Sequence, residues 1–234
     1  MVPHGPSKNP LDMIHLAIIP DGNRRWANAH GLPPWKGHEK SAENFEILLE
    51  WCRKSERIST LTFWTFSTEN WSREPEEVKK LMEILEKYLY LKEKRKRFME
   101  NGVRFLHSGR KDRLPKSIRT LMEEMERETG KTWKFTLNLA LDYGGKDEVI
   151  RAVNKLSGEE ATEKNIRSNI DHPELPDIDL VIRTSGEYRT SNFALWTTAH
   201  AEWVFLDHHF PDFSEADLAT ALDEYDKRQR RFGR

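Results

Sequence analysis

A chain of 234 residues, 37% of them hydrophobic, has the length and apolar content for one α/β domain with a sizeable core. Its 38 basic and 39 acidic side chains balance to a net charge of −1, which argues against a nucleic-acid protein. A single cysteine, Cys52, excludes an intrachain disulfide framework or a cysteine-built zinc site, and no run approaches the ~20 apolar residues that cross a bilayer, so a cytoplasmic protein is expected.

The first thirteen residues carry Pro3, Pro6 and Pro10 and no apolar stretch; they read as a disordered lead-in, not a signal peptide. Residues 14–234 read as one domain without repeat, linker or low-complexity tract. Ile14–Ile19 has the pattern of a buried strand and ends in Asp21-Gly22-Asn23-Arg24-Arg25-Trp26. That loop offers a carboxylate for a metal, a glycine for close backbone approach and two guanidinium forks, and a helix expected after it adds N–H groups and a favourable dipole. The plain alternative is a strand–turn–helix corner with surface arginines. Ala42, Phe45, Leu48, Leu49 and Cys52 then fall on one helix face, which makes Cys52 a buried structural thiol.

A second strand, Thr60–Phe66, runs into Ser67, Thr68, Glu69, Asn70, Trp71, Ser72 and Arg73. These polar groups beside aromatics can bind a diphosphate or take a proton; they can equally be a turn and helix cap, with a separate cap at Ser72 ahead of Glu76 and Glu77. Val78, Leu81, Met82, Leu85, Tyr88 and Leu89 mark a long amphipathic helix, closed by the solvated run Lys92–Arg97. Strands are expected at Val103–His107, Phe135–Leu141, Asp179–Arg183 and Trp203–Leu206, and Leu218, Leu222 and Tyr225 mark a last helix. After the fifth strand, Arg183, Arg189, Thr190 and Ser191 surround a glycine turn that suits phosphate. Glu202 sits among apolar residues, where a carboxylate is costly unless it is paired or metal-bound. The alternation predicts a mostly parallel central sheet with helices on both faces, and in such α/β sheets ligands bind at the carboxyl ends of the strands, where Asp21–Trp26, Ser67–Arg73, Asp142–Gly145 and Arg183–Asn192 fall.

Taken in order, Asp21–Ala27, Gly37-His38, Phe66–Trp71 with Arg73 and Glu77, Leu137–Ala140, Tyr143–Gly145, Asp179–Thr184, Arg189–Phe193, Glu202, Phe210–Phe213 and Arg230–Gly233 make the chain resemble the cis-prenyltransferases, the undecaprenyl diphosphate synthase family. The resemblance implies that family's single-domain α/β fold over 14–234, a homodimer, and magnesium-dependent condensation of isopentenyl diphosphate with an allylic prenyl diphosphate. It implies that Asp21 holds magnesium and acts with Asn70 as catalytic machinery; Asn70 stands at the position often assigned to proton removal, and because an amide is a weak base the alternative is that it orients a diphosphate oxygen that takes the proton. It places Gly22, Asn23, Arg24, Arg25, Trp26 and His38 around the allylic diphosphate and Arg183, Arg189 and Ser191 around the isopentenyl diphosphate. Glu202 would supply a second magnesium contact, and Arg231–Gly233 would reach a neighbouring subunit's site. An apolar tunnel between the sheet and the long helix would hold the growing chain, with Val78, Leu81, Met82, Leu85 and Leu89 as candidate lining and peripheral membrane contact for product release.

Three departures from the family pattern shape the expectations. Pro34 stands where the family usually has an arginine three residues before Gly37-His38, so Arg24 or Lys36 must replace that cation or the allylic site is altered. Tyr188 replaces a usual histidine. Thr65, Phe105 and His107 stand where smaller or more aliphatic residues are common, so the tunnel is expected to be reshaped, Phe105 to form its floor, and the product to be short to medium in length. Irregular condensation with dimethylallyl diphosphate as acceptor, a non-catalytic partner subunit, and an unrelated magnesium phosphotransferase are the competing readings; the last lacks either common glycine-rich nucleotide motif. The Asp21–Arg25 loop is archaeal-like, which suggests geranylgeranyl diphosphate as starter.

Overall fold

The computed structural model describes residues 13–90, 92–130 and 133–228, without the side chains of 89–95. The expected lead-in up to residue 12, the Leu89 side chain and the Arg230–Gly233 motif lie outside the described residues.

Six parallel strands form the sheet: β1 (Ile14–Ile19), β2 (Ile58–Ser67), β3 (Val103–Ser108), β4 (Phe135–Tyr143), β5 (Leu180–Arg183) and β6 (Glu202–Phe205), in the order β3-β4-β2-β1-β5-β6. Every residue of β1 and β4 is buried, as required of strands covered on both faces. The helices are α1 (Asn23–Ala29), α2 (Pro34–Lys54), α3 (Pro75–Tyr90), α4 (Lys92–Glu100), α5 (Lys116–Thr129), α6 (Gly145–Lys155), α7 (Glu163–Arg167) and α8 (Glu215–Lys227). None among the described residues is long and apolar enough to cross a membrane.

Alternation along the strands splits the core. Leu16, Ile18, Leu61, Phe63, Phe105, Leu137 and Leu139 share one cluster with Leu48 and Leu49 of α2, Leu81 and Met82 of α3 and Ile118, Met122 and Met125 of α5. Ala17, Ile19, Ala140, Tyr143 and Val181 belong to a second cluster, with Phe193. Cys52 is fully buried, and burial pushes its thiol well above the usual range, so it is structural.

One local expectation changes and one holds. Ser72 does not cap α3: its hydroxyl donates to Glu69 O at 2.7 Å, and α3 starts at Pro75, with Val78 N–H bonding to Glu74 O. The cap sits one turn earlier, where a 3₁₀ turn over Thr68–Ser72 is boxed by Ser67 and Asn70.

Candidate active site

Glycine sets the geometry at the end of β1. Gly22 has φ +94°, and a Cβ there would lie 2.4 Å from both His209 Nδ1 and Ser185 Oγ. The chain therefore turns sharply, and Gly22 N–H donates to Asp21 Oδ1 at 2.7 Å. Thr184 fixes the other side, accepting from Asp21 N–H at 2.9 Å and donating to Asp21 O at 2.8 Å. A Cβ on Gly37 would land 1.9 Å from Asn23 O, so this second glycine lets α2 close on α1 and brings His38 to the loop.

A cavity of about 920 Å³ runs from this loop between the sheet and α2, α3 and α5. Its upper lining includes Asp21, Gly22, Asn23, Arg24, Arg25, His38, Ser67, Glu69, Asn70, Arg73, Arg183 and Ser191. Arg183 is buried; it donates to Asp21 Oδ2 and to Ser191 Oγ, each at 2.8 Å, and its Nε has no partner. Arg25 meets Glu187 at 2.9 Å and Asp21 at 3.7 Å, and Glu187 also pairs with Arg189. Asp21 and Glu187 thus hold the arginines in place and partly neutralise them, a charge balance that a diphosphate would replace. Arg24 and Arg73 share Glu77, at 3.8 and 2.9 Å. Burial first, then the charges of Arg73 and Arg24, pull His38 down to about 3, so its ring is neutral near pH 7. His38 Nε2 and Asn23 Oδ1 are both buried without a partner, one neutral donor or acceptor and one acceptor beside the arginines.

Asn70 lines the cavity, and its Oδ1 accepts Ser67 N–H at 3.0 Å, which leaves the NH₂ free to donate; an amide is too weakly basic to take a proton itself. The bulge that throws Ser67–Asn70 over the cavity falls at Thr65: Trp64 pairs with Ala140 and Phe66 with Leu141. Thr65 Oγ1 is left buried and unpartnered in the cavity wall.

Several expected residues stand elsewhere. Trp26 Nε1 donates to Asp212 at 2.8 Å and its ring stacks on His30, so it braces α1 outside the cavity. Trp71 Nε1 donates to Asp142 at 2.8 Å and its ring meets Phe66 edge-on, a structural role. Thr68, Thr190 and Arg189 do not line the cavity, and Arg189 is 59% exposed. Lys36 pairs with Glu39 at the surface, so of the two candidate replacements for the Pro34 cation only Arg24 lines the cavity. Pro34 itself is the first residue of α2, where its missing N–H costs no bond. His107 points into hydrogen bonding with Leu141 O at 2.8 Å and is not in the lining. Leu81 and Leu85 line the cavity; Val78 and Met82 pack beside it.

Glu202 stands apart from Asp21 within this chain. It opens β6, level with Leu180 and, through it, with Leu16, so it lies at the amino end of the sheet while Asp21 lies at the carboxyl end. It pairs with Arg228 at 2.9 Å and does not join Asp21 within one chain. Among the described residues, no three His, Cys, Asp or Glu side chains converge as a metal cluster.

Phe105 lines the wall but does not end the cavity, which continues to Val103, Asn101, Arg97 and Phe98 and, on α2 and α3, to Glu50, Arg53 and Tyr88. The far end is polar: Arg97 is exposed, and Glu50 binds Arg53 at 2.7 Å, which holds its carboxyl down at about 2. Charged residues at a tunnel end give no periodic signal and were not legible in the sequence.

The undecaprenyl diphosphate synthase family model matches residues 19–233. A Pyrococcus horikoshii protein named tritrans,polycis-undecaprenyl-diphosphate synthase (geranylgeranyl-diphosphate specific) is 45% identical over 94% of this chain and 86% of its own length. An isoprenyl transferase of Aquifex aeolicus is 44% identical over 94% of this chain and 95% of its own. The crystal structure of lavandulyl diphosphate synthase from Lavandula x intermedia, in complex with dimethylallyl diphosphate, superposes with a TM-score of 0.89 at 31% identity, covering 97% of this chain and 100% of that one. With the family model spanning residues 19–233 and relatives of 44–45% identity covering 94% of the chain, the chain belongs to the undecaprenyl diphosphate synthase family of prenyltransferases.

Proposed function

We propose that this protein condenses isopentenyl diphosphate with an allylic prenyl diphosphate, in the presence of magnesium, to give a cis-polyprenyl diphosphate of short to medium length. The observation that carries the reading is a cavity that joins an arginine-rich mouth to an apolar interior of Phe45, Leu49, Leu81, Leu85, Phe105, Leu137 and Leu139. It matches a ligand with a diphosphate head and a hydrocarbon tail.

Magnesium fits as a substrate-borne ion. It is a hard cation commonly held by one or two carboxylates plus substrate phosphates, and Asp21 supplies one carboxylate at the mouth beside the unpartnered Asn23 Oδ1. Once bound, it would withdraw charge from the leaving diphosphate. The chain's own groups do the rest. Arg24, Arg25, Arg73 and neutral His38 bind the allylic diphosphate and stabilise charge as the C–O bond ionises. Arg183, with Ser191 and the exposed Arg189, holds the isopentenyl diphosphate so that its alkene faces the allylic carbon. Asn70 donates to a diphosphate oxygen that accepts the departing proton.

The growing tail follows the apolar wall past Phe105 and meets Glu50, Arg53 and Arg97, where further growth puts hydrocarbon against charge and water. From His38 to Arg53, α2 spans about 22 Å. A homodimer is supported by β6, a four-residue edge strand whose Trp203 and Phe205 rings stack at 5.8 Å beside exposed Tyr188. Cytoplasmic residence fits the lone buried thiol, and peripheral membrane contact would serve product release.

One observation favours a second reading. Pro34 removes a cation from the allylic site, and the lavandulyl diphosphate synthase, crystallised with dimethylallyl diphosphate, is among the similar structures. Irregular coupling of two allylic diphosphates is that alternative. The test is incubation with magnesium and dimethylallyl, geranyl, farnesyl or geranylgeranyl diphosphate, each with and without labelled isopentenyl diphosphate, with products read by mass spectrometry. A ladder that requires isopentenyl diphosphate is expected. Product from allylic substrates alone establishes the second reading, and none from any combination points to a non-catalytic partner subunit. Arg24→Ala should raise the allylic KM about tenfold, the loss of roughly one charge-assisted bond, while Lys36→Ala should leave it unchanged.

A further inference from the structure

β5 is separated from β4 by β1 and β2, about 14 Å across the sheet. The loop after β5 nevertheless reaches the loops after both β2 and β4, and one residue, Asn192, makes hydrogen bonds to both. Asn192 Nδ2 donates to Glu69 Oε1 at 2.8 Å. Asn192 Oδ1 accepts Lys146 N–H at 2.8 Å, in the first turn of α6, and its carbonyl accepts Gly145 N–H at 2.6 Å. The clamp is held in costly backbone: Ser191 and Asn192 have φ +51° and +68°. Asparagine tolerates that region better than most residues. Both residues line the cavity, and Ser191 Oγ is the group that Arg183 meets at 2.8 Å.

We propose that Asn192 is a positioning residue for the second diphosphate: by tying the β5 loop across the end of β1 to Glu69 and α6, it fixes Ser191 and Arg183 opposite Asp21. Asn192 acts on the second diphosphate through Ser191 and Arg183. The inference rests on the reading of Arg183 and Ser191 as the isopentenyl diphosphate site.

Asn192→Gly tests it, because glycine adopts the same backbone without strain and removes both side-chain bonds. KM for isopentenyl diphosphate should rise about tenfold, with the allylic KM nearly unchanged. Asn192→Asp sets two carboxylates against each other and should be worse; adding Glu69→Gln restores a donor–acceptor pair with the roles reversed, so the double variant should recover to the level of Glu69→Gln alone. Amide hydrogen exchange at 145 and 146 should accelerate in Asn192→Gly. Unchanged isopentenyl KM and unchanged exchange in a folded Asn192→Gly overturn the proposal, as does a uniform fall in kcat with no KM split. A wild-type protein without prenyl transfer would instead overturn the functional reading, and the exchange rates would still decide the clamp.

Discussion

Under α2, α3 and α5 the sheet presents Leu16, Phe63, Phe105, Leu137 and Leu139 and leaves a cavity of about 920 Å³. On the other face the same four strands carry a hydrogen-bonded chain: Ser108 Oγ donates to Asn138 Oδ1 at 3.0 Å, Asn138 Nδ2 to Thr62 Oγ1 at 3.1 Å, and Thr62 Oγ1 to His15 Nε2 at 2.7 Å. His15 Nδ1 completes it at Pro176 O, 2.9 Å away. The first face gives up packing contacts to leave room for a hydrocarbon. The second is closed by directional bonds that run in sheet order β3, β4, β2, β1. A hollow core needs stiff support, because apolar packing alone tolerates rearrangement while a satisfied polar network specifies one arrangement.

The comparison breaks most severely at the mouth of the hollow face. Asp21→Ala leaves Arg183 buried without the carboxylate it meets at 2.8 Å and removes the proposed oxygen donor for magnesium; turnover should fall about 10³-fold or more, with chelation of magnesium doing the same to the wild type. Circular dichroism should show the fold retained. A variant within about tenfold of wild type would refute the assigned role.

On the closed face the expected effect is on stability. Thr62→Val removes a partner from both His15 and Asn138 in a buried setting and should cost about 3 kcal/mol in urea unfolding. A loss under about 1 kcal/mol would mean that the chain of bonds is not what holds this face.

Both faces contain a histidine that burial keeps neutral: His15, pulled down to about 4, and His38, to about 3. Between those values and the ordinary value of 6.5 the unfolded chain binds more protons than the folded one, so stability falls as pH drops through this window. His15 should contribute a loss of about 2 kcal/mol at pH 5. His15→Gln should flatten the acid side of the stability profile; an unchanged slope would place the proton uptake elsewhere.

The smallest effects should be changes in product length. Arg53→Leu extends the apolar wall and should add isoprene units to the longest product, whereas Phe105→Ala widens the middle of the tunnel and should leave the longest product unchanged. The reverse pattern would restore Phe105 as the floor.

The sheet, its order of elements and the cluster of loops at its carboxyl ends follow from local pattern. Runs of buried residues separated by amphipathic periods leave few alternatives, and Asp21, Arg183 and Ser191 were visible because charge and glycine sit at strand ends. Other assignments depended on contacts that sequence does not encode locally. Trp26 and Trp71 look like site residues until Asp212 and Asp142 are seen to take their indole N–H groups. Asp21 and Glu202 look like a ligand pair in the sequence, and only the parallel register shows that within one chain they lie at opposite ends of the sheet. The sequence by itself determined which segments are strands and helices and which loops carry charge, because those are properties of neighbouring residues. Only the tertiary structure decided that Arg24 rather than Lys36 faces the cavity, that the cavity runs past Phe105 to a charged end, and that Asn192 ties three loops together, because each depends on residues brought close by the crossing of distant elements.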